Sequence, residues 1–155
     1  LFHGSAVCVH GNGYLFTAKS GTGKSTHTKL WRYGLGRRCV FVNDDKPLLM
    51  VTEDGVMVCG TPWDGKHRRS TNIVVPLKGI AILERGQDNV ITPIDASTAL
   101  PLMLQQCYRP SNPTALAKTL SLLEHVMNKV SLYRLECTIS LDAAKVAYEC
   151  MKQKG

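Results

Sequence analysis

The segment LFTAKSGTGKSTHTKLW, residues 15–31, has the pattern of a strand, a glycine-rich loop and a helix. The apolar residues at its start are typical of a buried strand. Gly21 and Gly23 allow the backbone conformations that direct consecutive N–H groups into a concavity. A helix is predicted over residues 24 to 33, and its N-terminal amides and dipole attract an anion. The segment therefore predicts a phosphate-binding loop.

The residues predicted to bind the nucleotide lie in this glycine-rich loop and in the first turn of the helix. They are Ser20, Gly21, Thr22, Gly23, Lys24, Ser25 and Thr26. In this motif Lys24 reaches the outer phosphates of ATP, and the Ser25 hydroxyl is a ligand of Mg²⁺. Ala18 stands where the motif usually opens with glycine. Its methyl group disfavours a positive φ but is the smallest possible addition, so we expect the loop to keep its shape.

Two adjacent carboxylates follow the next predicted strand, in VFVNDD, residues 40–45. In metal-assisted phosphoryl transfer one carboxylate can hold Mg²⁺, and another can accept the proton of the attacking hydroxyl. Asp44 and Asp45 come one helix and one strand after the glycine-rich loop. This spacing favours a catalytic acid pair over a solvated acidic turn.

The rest of the chain predicts an α/β fold with a mixed sheet and a helical last third. The connection from Gly11 to Gly13 predicts a hairpin, so the strand that enters the loop has an antiparallel neighbour. A second hairpin turns at Asp54-Gly55, a long polar loop covers residues 60–72, and strand patterns cover residues 73–85 and 90–94.

Three helices are predicted in the last third. They start after Asp95, after Asn112, and after either Ser140 or Asp142, which are residues that cap helix N-termini. In the middle helix one apolar stripe is predicted to be buried, at Leu116, Leu120, Leu123 and Met127.

Length and composition restrict the possible partners. A chain of 155 residues suggests one domain, residues 1–155. The net charge of +7 suits an anionic ligand, but aromatics are only 6% and the basic residues form short groups, so we expect no nucleic acid partner. No apolar run approaches membrane-spanning length, so we expect no membrane partner. Six cysteines in apolar stretches, without a C-x-x-C pair, favour free thiols in the cytoplasm.

Three elements in order resemble the HPr kinase/phosphorylase family. They are His3-Gly4 before the first strand, SGTGKST in the loop, and the NDD triplet at residues 43–45. The ATP-dependent phosphoenolpyruvate carboxykinases, which share the P-loop fold of that family, are a more distant resemblance. The likeness covers the first half best. It implies a mixed-sheet P-loop fold of the HPr kinase C-terminal domain type, in a small divergent member without the N-terminal domain of the family.

The resemblance implies a role for each matching residue. Lys24 and the loop amides hold the β- and γ-phosphates, and Ser25 and Asp45 hold Mg²⁺. Asp44 is the general base, and His3 lies near that base and tunes its proton affinity. The chain departs from the family at residues 57–60, MVCG, where the family carries an acid. Glu84 is the alternative source of that carboxylate.

The polar loop at residues 60–72 is the predicted substrate-contacting segment. Its basic run, Lys66 to Arg69, can clamp the γ-phosphate in the transition state or bind an anionic acceptor. Within this run Arg68 is assigned to catalysis.

The leading hypothesis is an ATP- and Mg²⁺-dependent kinase that phosphorylates a hydroxyl. The acceptor is a serine in a peptide, in a protein or as the free amino acid. The first alternative is an ATP-binding regulatory module without phosphotransfer. The others are carboxykinase-like chemistry on a small carboxylic acid and a small-molecule kinase of the adenylate kinase type. An enzyme of the adenylate kinase type would have a parallel strand beside the strand that enters the glycine-rich loop. The sequence does not predict the oligomeric state.

Overall fold

A computed structural model describes residues 1–19 and 21–153. In these residues the strands are β1 (Ser5–Val9), β2 (Asn12–Thr17), β3 (Cys39–Asn43), β4 (Leu48–Val51), β5 (Val56–Cys59), β6 (Val74–Arg85), β7 (Val90–Pro93) and β8 (Ser131–Cys137). The α-helices are α1 (Lys24–Leu35), α2 (Ala96–Gln106), α3 (Pro113–Lys129) and α4 (Leu141–Met151). Within the described residues, no helix combines the length and apolar character that a membrane span requires.

The strands form one mixed sheet, as predicted. One path through it runs β3-β1-β2-β6-β5-β4, and β8 pairs with both β6 and β7. The strand that enters the glycine-rich loop, β2, pairs antiparallel with β1 and parallel with β6. The predicted hairpin is therefore present. However, β2 also has the parallel neighbour expected of an adenylate kinase type enzyme, so the hairpin alone does not exclude that alternative.

Four strands end at the same edge of the sheet, which we call the loop edge. Because β1 is antiparallel to both β2 and β3, the strands β2 and β3 run in one direction. The strands β6 and β8 run parallel to β2. The loop edge thus collects the carboxyl ends of β2, β3, β6 and β8 and the start of β1. Ligands of α/β sheets bind outside such carboxyl ends.

Helices pack on both faces of the sheet. Alternate residues of a strand point to opposite faces, so each strand contributes side chains to two cores. In β6, Ile80 and Ile82 belong to a core that includes Met103 of α2 and Leu123 of α3. The intervening Ala81 and Leu83 belong to a second core, which includes Trp31 of α1 and Met151 of α4. The glycine-rich loop therefore leads from the sheet to the helical layer formed by α1 and α4.

The predicted helix starts are confirmed by capping contacts. Asp95 accepts a hydrogen bond from the Thr98 amide, and Asn112 caps α3 in the same way. Ser140, rather than Asp142, caps α4 by accepting from the Ala143 amide.

The apolar stripe of α3 is only partly buried. Leu123 and Met127 are buried, but Leu120 is 41% exposed, so its predicted burial was wrong. The buried positions of α3 are all at Leu123 or later, because its C-terminal half packs on the sheet while its first turns extend beyond the core.

Gly60, between β5 and the polar loop, lies where two backbone segments approach closely. A Cβ at this position would overlap the Thr71 carbonyl oxygen and lie 2.8 Å from that of Val42. We expect Gly60→Ala to lower the free energy of unfolding by about 3 kcal/mol, because both carbonyl oxygens are held by hydrogen bonds, that of Val42 from the Thr71 amide and that of Thr71 from the Ile73 amide. Gly55→Ala is the matched control, since its Cβ would meet nothing within 4 Å. Urea denaturation of both variants measures the difference, and equal stabilities would contradict the steric explanation.

Candidate active site

Two glycines of the glycine-rich loop adopt backbone conformations that other residues rarely adopt. Gly21 and Gly23 have φ values of 82° and 106°, in the left-handed region that side chains disfavour. Gly23 is also the N-cap of α1, and the described part of the chain supplies neither a side-chain cap nor an acid in the first turn of that helix. Open space surrounds the position of a Cβ on Gly21. Within residues 1–19 and 21–153, no side chain caps the positive end of α1, which is the kind of helix end that anions bind. Ser20, also assigned to nucleotide binding, lies outside the described residues.

Lys24 crosses the loop. Its Nζ donates a hydrogen bond to the Ala18 carbonyl oxygen at 3.2 Å. Partial burial lowers the pKa of Lys24, and the charge of Asp45 opposes that shift. Lys24 is therefore close enough to Asp45 for their charges to interact.

Ala18 serves the core rather than the anion site. It is 1% exposed and packs in the same apolar cluster as Trp31 and Phe16. It is not among the described residues with a positive φ, so its methyl group causes no backbone strain. We expect Ala18→Gly to leave ATP affinity within about twofold, while stability falls by about 1 kcal/mol through lost packing and added chain entropy. Calorimetric titration and thermal unfolding measure the two effects. An affinity gain of tenfold or more would mean that alanine distorts the loop.

The start of β1 brings His3 to the acid pair. Gly4 donates its amide to the Asp45 carbonyl oxygen at 3.0 Å. His3 Nε2 lies 3.4 Å from Asp45 Oδ1. Burial and the charge of Lys24 lower the pKa of His3, and Asp45 acts in the opposite direction. The family resemblance implies that His3 lies near Asp44. Its contact in the structure is with Asp45 instead, because the Gly4 bond ties the start of β1 to that residue.

Asp44 is buried and held from two sides. Its side chain is 2% exposed and lies 3.6 Å from Arg69 Nη1. Its Oδ1 accepts a hydrogen bond of 2.6 Å from Ser5 Oγ. Ser5 Oγ also contacts the Thr28 hydroxyl of α1 at 2.8 Å. Asp44 is thus tied to the helix that follows the glycine-rich loop. Ser5 was missed because a serine that begins an apolar strand has no distinguishing local pattern.

Asp45 is the accessible member of the acid pair. Its side chain is 26% exposed, and its Oδ2 lies 3.0 Å from Lys46 Nζ. Asn43 sets this geometry by accepting hydrogen bonds from the backbone amides of Asp45 and Lys46. The Asn43 side chain also donates to Thr61, at the start of the polar loop. One asparagine therefore orients the acids and attaches the polar loop beside them.

The polar loop brings Arg69 to the acids, whereas Arg68 lies away from them. Arg68 is exposed and has a φ of 51°. Arg69 lies 5.4 Å from the ring centre of Phe41 and forms the ion pair with Asp44. The sequence assigns Arg68 to catalysis, but within the described residues it is Arg69 that pairs with Asp44. The left-handed residue turns the chain, and only the next side chain points inward.

Glu84 is not positioned to supply a carboxylate to the acid pair. It lies near the end of β6, on the opposite side of β2 from β1 and β3, and pairs with Arg134 at 3.3 Å. No group of three or more His, Cys, Asp or Glu able to hold a metal occurs in the described residues. Mg²⁺ commonly uses one or two carboxylates together with substrate phosphates. Asp45 and the Ser25 hydroxyl fit that sparse donor set.

His27 is a buried histidine on the helix that follows the glycine-rich loop. Burial lowers its pKa from 6.5 to about 4. Its Nε2 accepts a hydrogen bond from Trp31 Nε1 at 3.0 Å. Its Nδ1 is buried without a hydrogen-bond partner among the described residues. Protonation would therefore place an uncompensated charge in the core.

This burial predicts a specific acid sensitivity. Between pH 6.5 and about 4 the unfolded chain binds a proton at His27 that the folded chain does not. The stability due to neutral His27 is thus complete above pH 6.5 and is lost as the pH falls towards 4, by about 3 kcal/mol in all. Denaturation of wild type and His27→Gln over this range measures the term. The exposed His125→Gln is the control, and equal pH slopes for all three proteins would contradict the prediction.

Neither a protein-family model nor a curated protein matches this chain. Among solved structures, the HPr(Ser) kinase/phosphatase from Coxiella burnetii is similar, with a TM-score of 0.43 and 12% sequence identity. The match covers 78% of this chain and 90% of that chain. A similarity at this level assigns no residue role and no activity to this chain.

Proposed function

We propose that this protein is an ATP- and Mg²⁺-dependent kinase that transfers the γ-phosphate to a hydroxyl, most simply that of a serine. The observation that carries the proposal is the acid pair beside the glycine-rich loop. Asp45 is accessible and close enough to Lys24 for their charges to interact. Asp44 is buried beside Arg69. We propose one nucleotide-binding domain spanning residues 1–155, of the P-loop kinase type.

Different residues are proposed to bind the phosphates and Mg²⁺ and to stabilise the developing charge. The loop amides and Lys24 hold the β- and γ-phosphates at the positive end of α1. Ser25 and Asp45 would hold Mg²⁺, which neutralises charge on the phosphate oxygens when bound. Arg69 faces the acids from the polar loop and supplies a second cation to the developing charge.

Asp44 is the proposed general base. Its Oδ1 is occupied by Ser5, and its Oδ2 is beyond hydrogen-bond distance from Arg69, so Oδ2 retains the capacity to accept a proton. In the transfer, the acceptor oxygen forms a bond to the γ-phosphorus as its proton passes to Asp44. The bond to the β–γ bridging oxygen breaks, and ADP leaves.

The acceptor is proposed as serine in a peptide, a protein or the free amino acid. The compartment is proposed as the cytoplasm, because all six cysteines are free thiols. A single-turnover assay with γ-labelled ATP and each acceptor class tests the proposal. Labelled phosphoserine formed faster than labelled inorganic phosphate is the expected result. Hydrolysis alone with every acceptor would contradict serine kinase activity.

A nucleotide-binding module without phosphotransfer is the second candidate. The near-complete burial of Asp44 favours it, because a buried carboxylate held by Ser5 and Arg69 can serve to position α1 instead. This candidate predicts tight ATP binding and no labelled product with any acceptor.

A further inference from the structure

The glycine-rich loop lies between two different surroundings at the loop edge. On one side are the start of β1 and the end of β3, which carry the acid pair. On the other side are the ends of β6 and β8. Ile82 of β6 is the partner of Thr17, the last residue of β2, so β6 continues past the end of β2 and runs beside the loop. Arg85, its last residue, donates from Nη2 to the Gly21 carbonyl oxygen at 2.7 Å.

A cavity of about 510 Å³ opens on this second side. Lys19 and Thr22 of the loop form one wall, and Ile82, Ile94 and Leu102 form an apolar surface. The volume lies within the range of small-molecule sites, about 300–1,000 Å³.

The polar groups of the cavity suit a sugar and a phosphate. Glu84 lines it and is about half exposed in its pair with Arg134, so its carboxylate can accept hydrogen bonds from vicinal hydroxyls. Arg85 and Lys19 place two cations where the cavity meets the loop. An apolar surface, a carboxylate and two cations are the groups that suit a base, a ribose and an α-phosphate.

We propose that this cavity binds the nucleoside of ATP, an inference that rests on the proposed function. If the γ-phosphate faces the acid pair, the triphosphate must leave the loop in the opposite direction, towards β6 and β8. The base packs against Ile94 and Leu102, and Glu84 holds the ribose. The crevice on the other face of β6, beside the 72% exposed Ile139, has a volume of only about 20 Å³, which is too small for a base.

Thr98→Trp fills the cavity without adding charge. Thr98 is exposed on α2 and lines the cavity. The matched control is Leu100→Trp, an exposed residue of α2 that does not line it. Calorimetric titrations with ATP and with inorganic tripolyphosphate separate the nucleoside from the phosphates. We expect Thr98→Trp to weaken ATP binding about tenfold or more and to leave tripolyphosphate unchanged, while Leu100→Trp changes neither.

Four outcomes overturn the proposal. Unchanged ATP affinity in Thr98→Trp means that the cavity is not the nucleoside site. Selective loss of ATP affinity in Ile139→Asp, with Thr98→Trp unaffected, places the nucleoside on the other face of β6. Wild-type protein that binds neither ATP nor tripolyphosphate overturns the proposed function itself. If wild-type protein binds tripolyphosphate as tightly as ATP, the phosphate site is retained but a nucleoside subsite is excluded.

Discussion

Asp44→Asn is expected to lower the rate of phosphotransfer by about 10²- to 10⁴-fold, the usual contribution of a general base. Asparagine retains an oxygen that can accept the 2.6 Å bond from Ser5 Oγ, so the link to α1 survives. It loses the charge that faces Arg69 and the ability to take a proton. ATP affinity is expected to change little, because the loop amides and Lys24 hold the phosphates.

Single-turnover rates, ATP titration and thermal unfolding of this variant should be measured together. Asp54→Asn, at the exposed turn between β4 and β5, is the control and should behave as wild type. Full activity in Asp44→Asn would show that the base assignment is wrong. Loss of ATP affinity together with a lower unfolding temperature would show instead that Asp44 mainly positions α1.

Lys24→Met is expected to have the second large effect, about 10²- to 10³-fold in phosphotransfer rate and at least tenfold in ATP affinity. Methionine preserves the length and apolar stem of lysine but removes the cation that faces the outer phosphates. Methionine loses the hydrogen bond to the Ala18 carbonyl oxygen. Because burial also disfavours the charge of Lys24, its removal offsets that loss, and we expect stability to change little.

Lys29→Met controls for the loss of one positive charge. Lys29 is exposed on the same helix, beyond the first turn. Calorimetric ATP titration and single-turnover assays compare the two variants. Equal ATP affinities would show that Lys24 does not bind the phosphates. The strongest link between the glycine-rich loop and nucleotide binding would then be lost.

The local elements of the fold were predictable because their signals lie within a few residues. Gly21 and Gly23 mark the loop, and both adopt the positive φ for which glycine is suited. The hairpin predicted at Gly11 to Gly13, which joins β1 and β2, and the caps at Asp95 and Asn112 follow from turn and capping chemistry. The failure at Leu120 has a different cause. Helical periodicity identifies the apolar face but not how far along the helix the core extends.

The proximity of the loop and the acids was also predictable in outline. A strand that delivers Asp44 and Asp45 one helix after the loop returns to the same edge when the two strands run in one direction. The sequence did not determine that β1 lies between them, a placement that makes Ser5 and His3 part of the site.

Individual partners were decided only by the tertiary structure. Arg68 and Arg69 are chemically alike neighbours in a loop without periodicity, so no local pattern distinguishes them. The left-handed turn at Arg68 directs Arg69 to Asp44. In the same way, the bond from the Gly4 amide to the Asp45 carbonyl sets His3 against Asp45. Sequence by itself determined the chemical groups and the edge at which they meet. Which atoms face one another depended on strand register and loop conformation, because those arise from contacts between residues far apart in the chain.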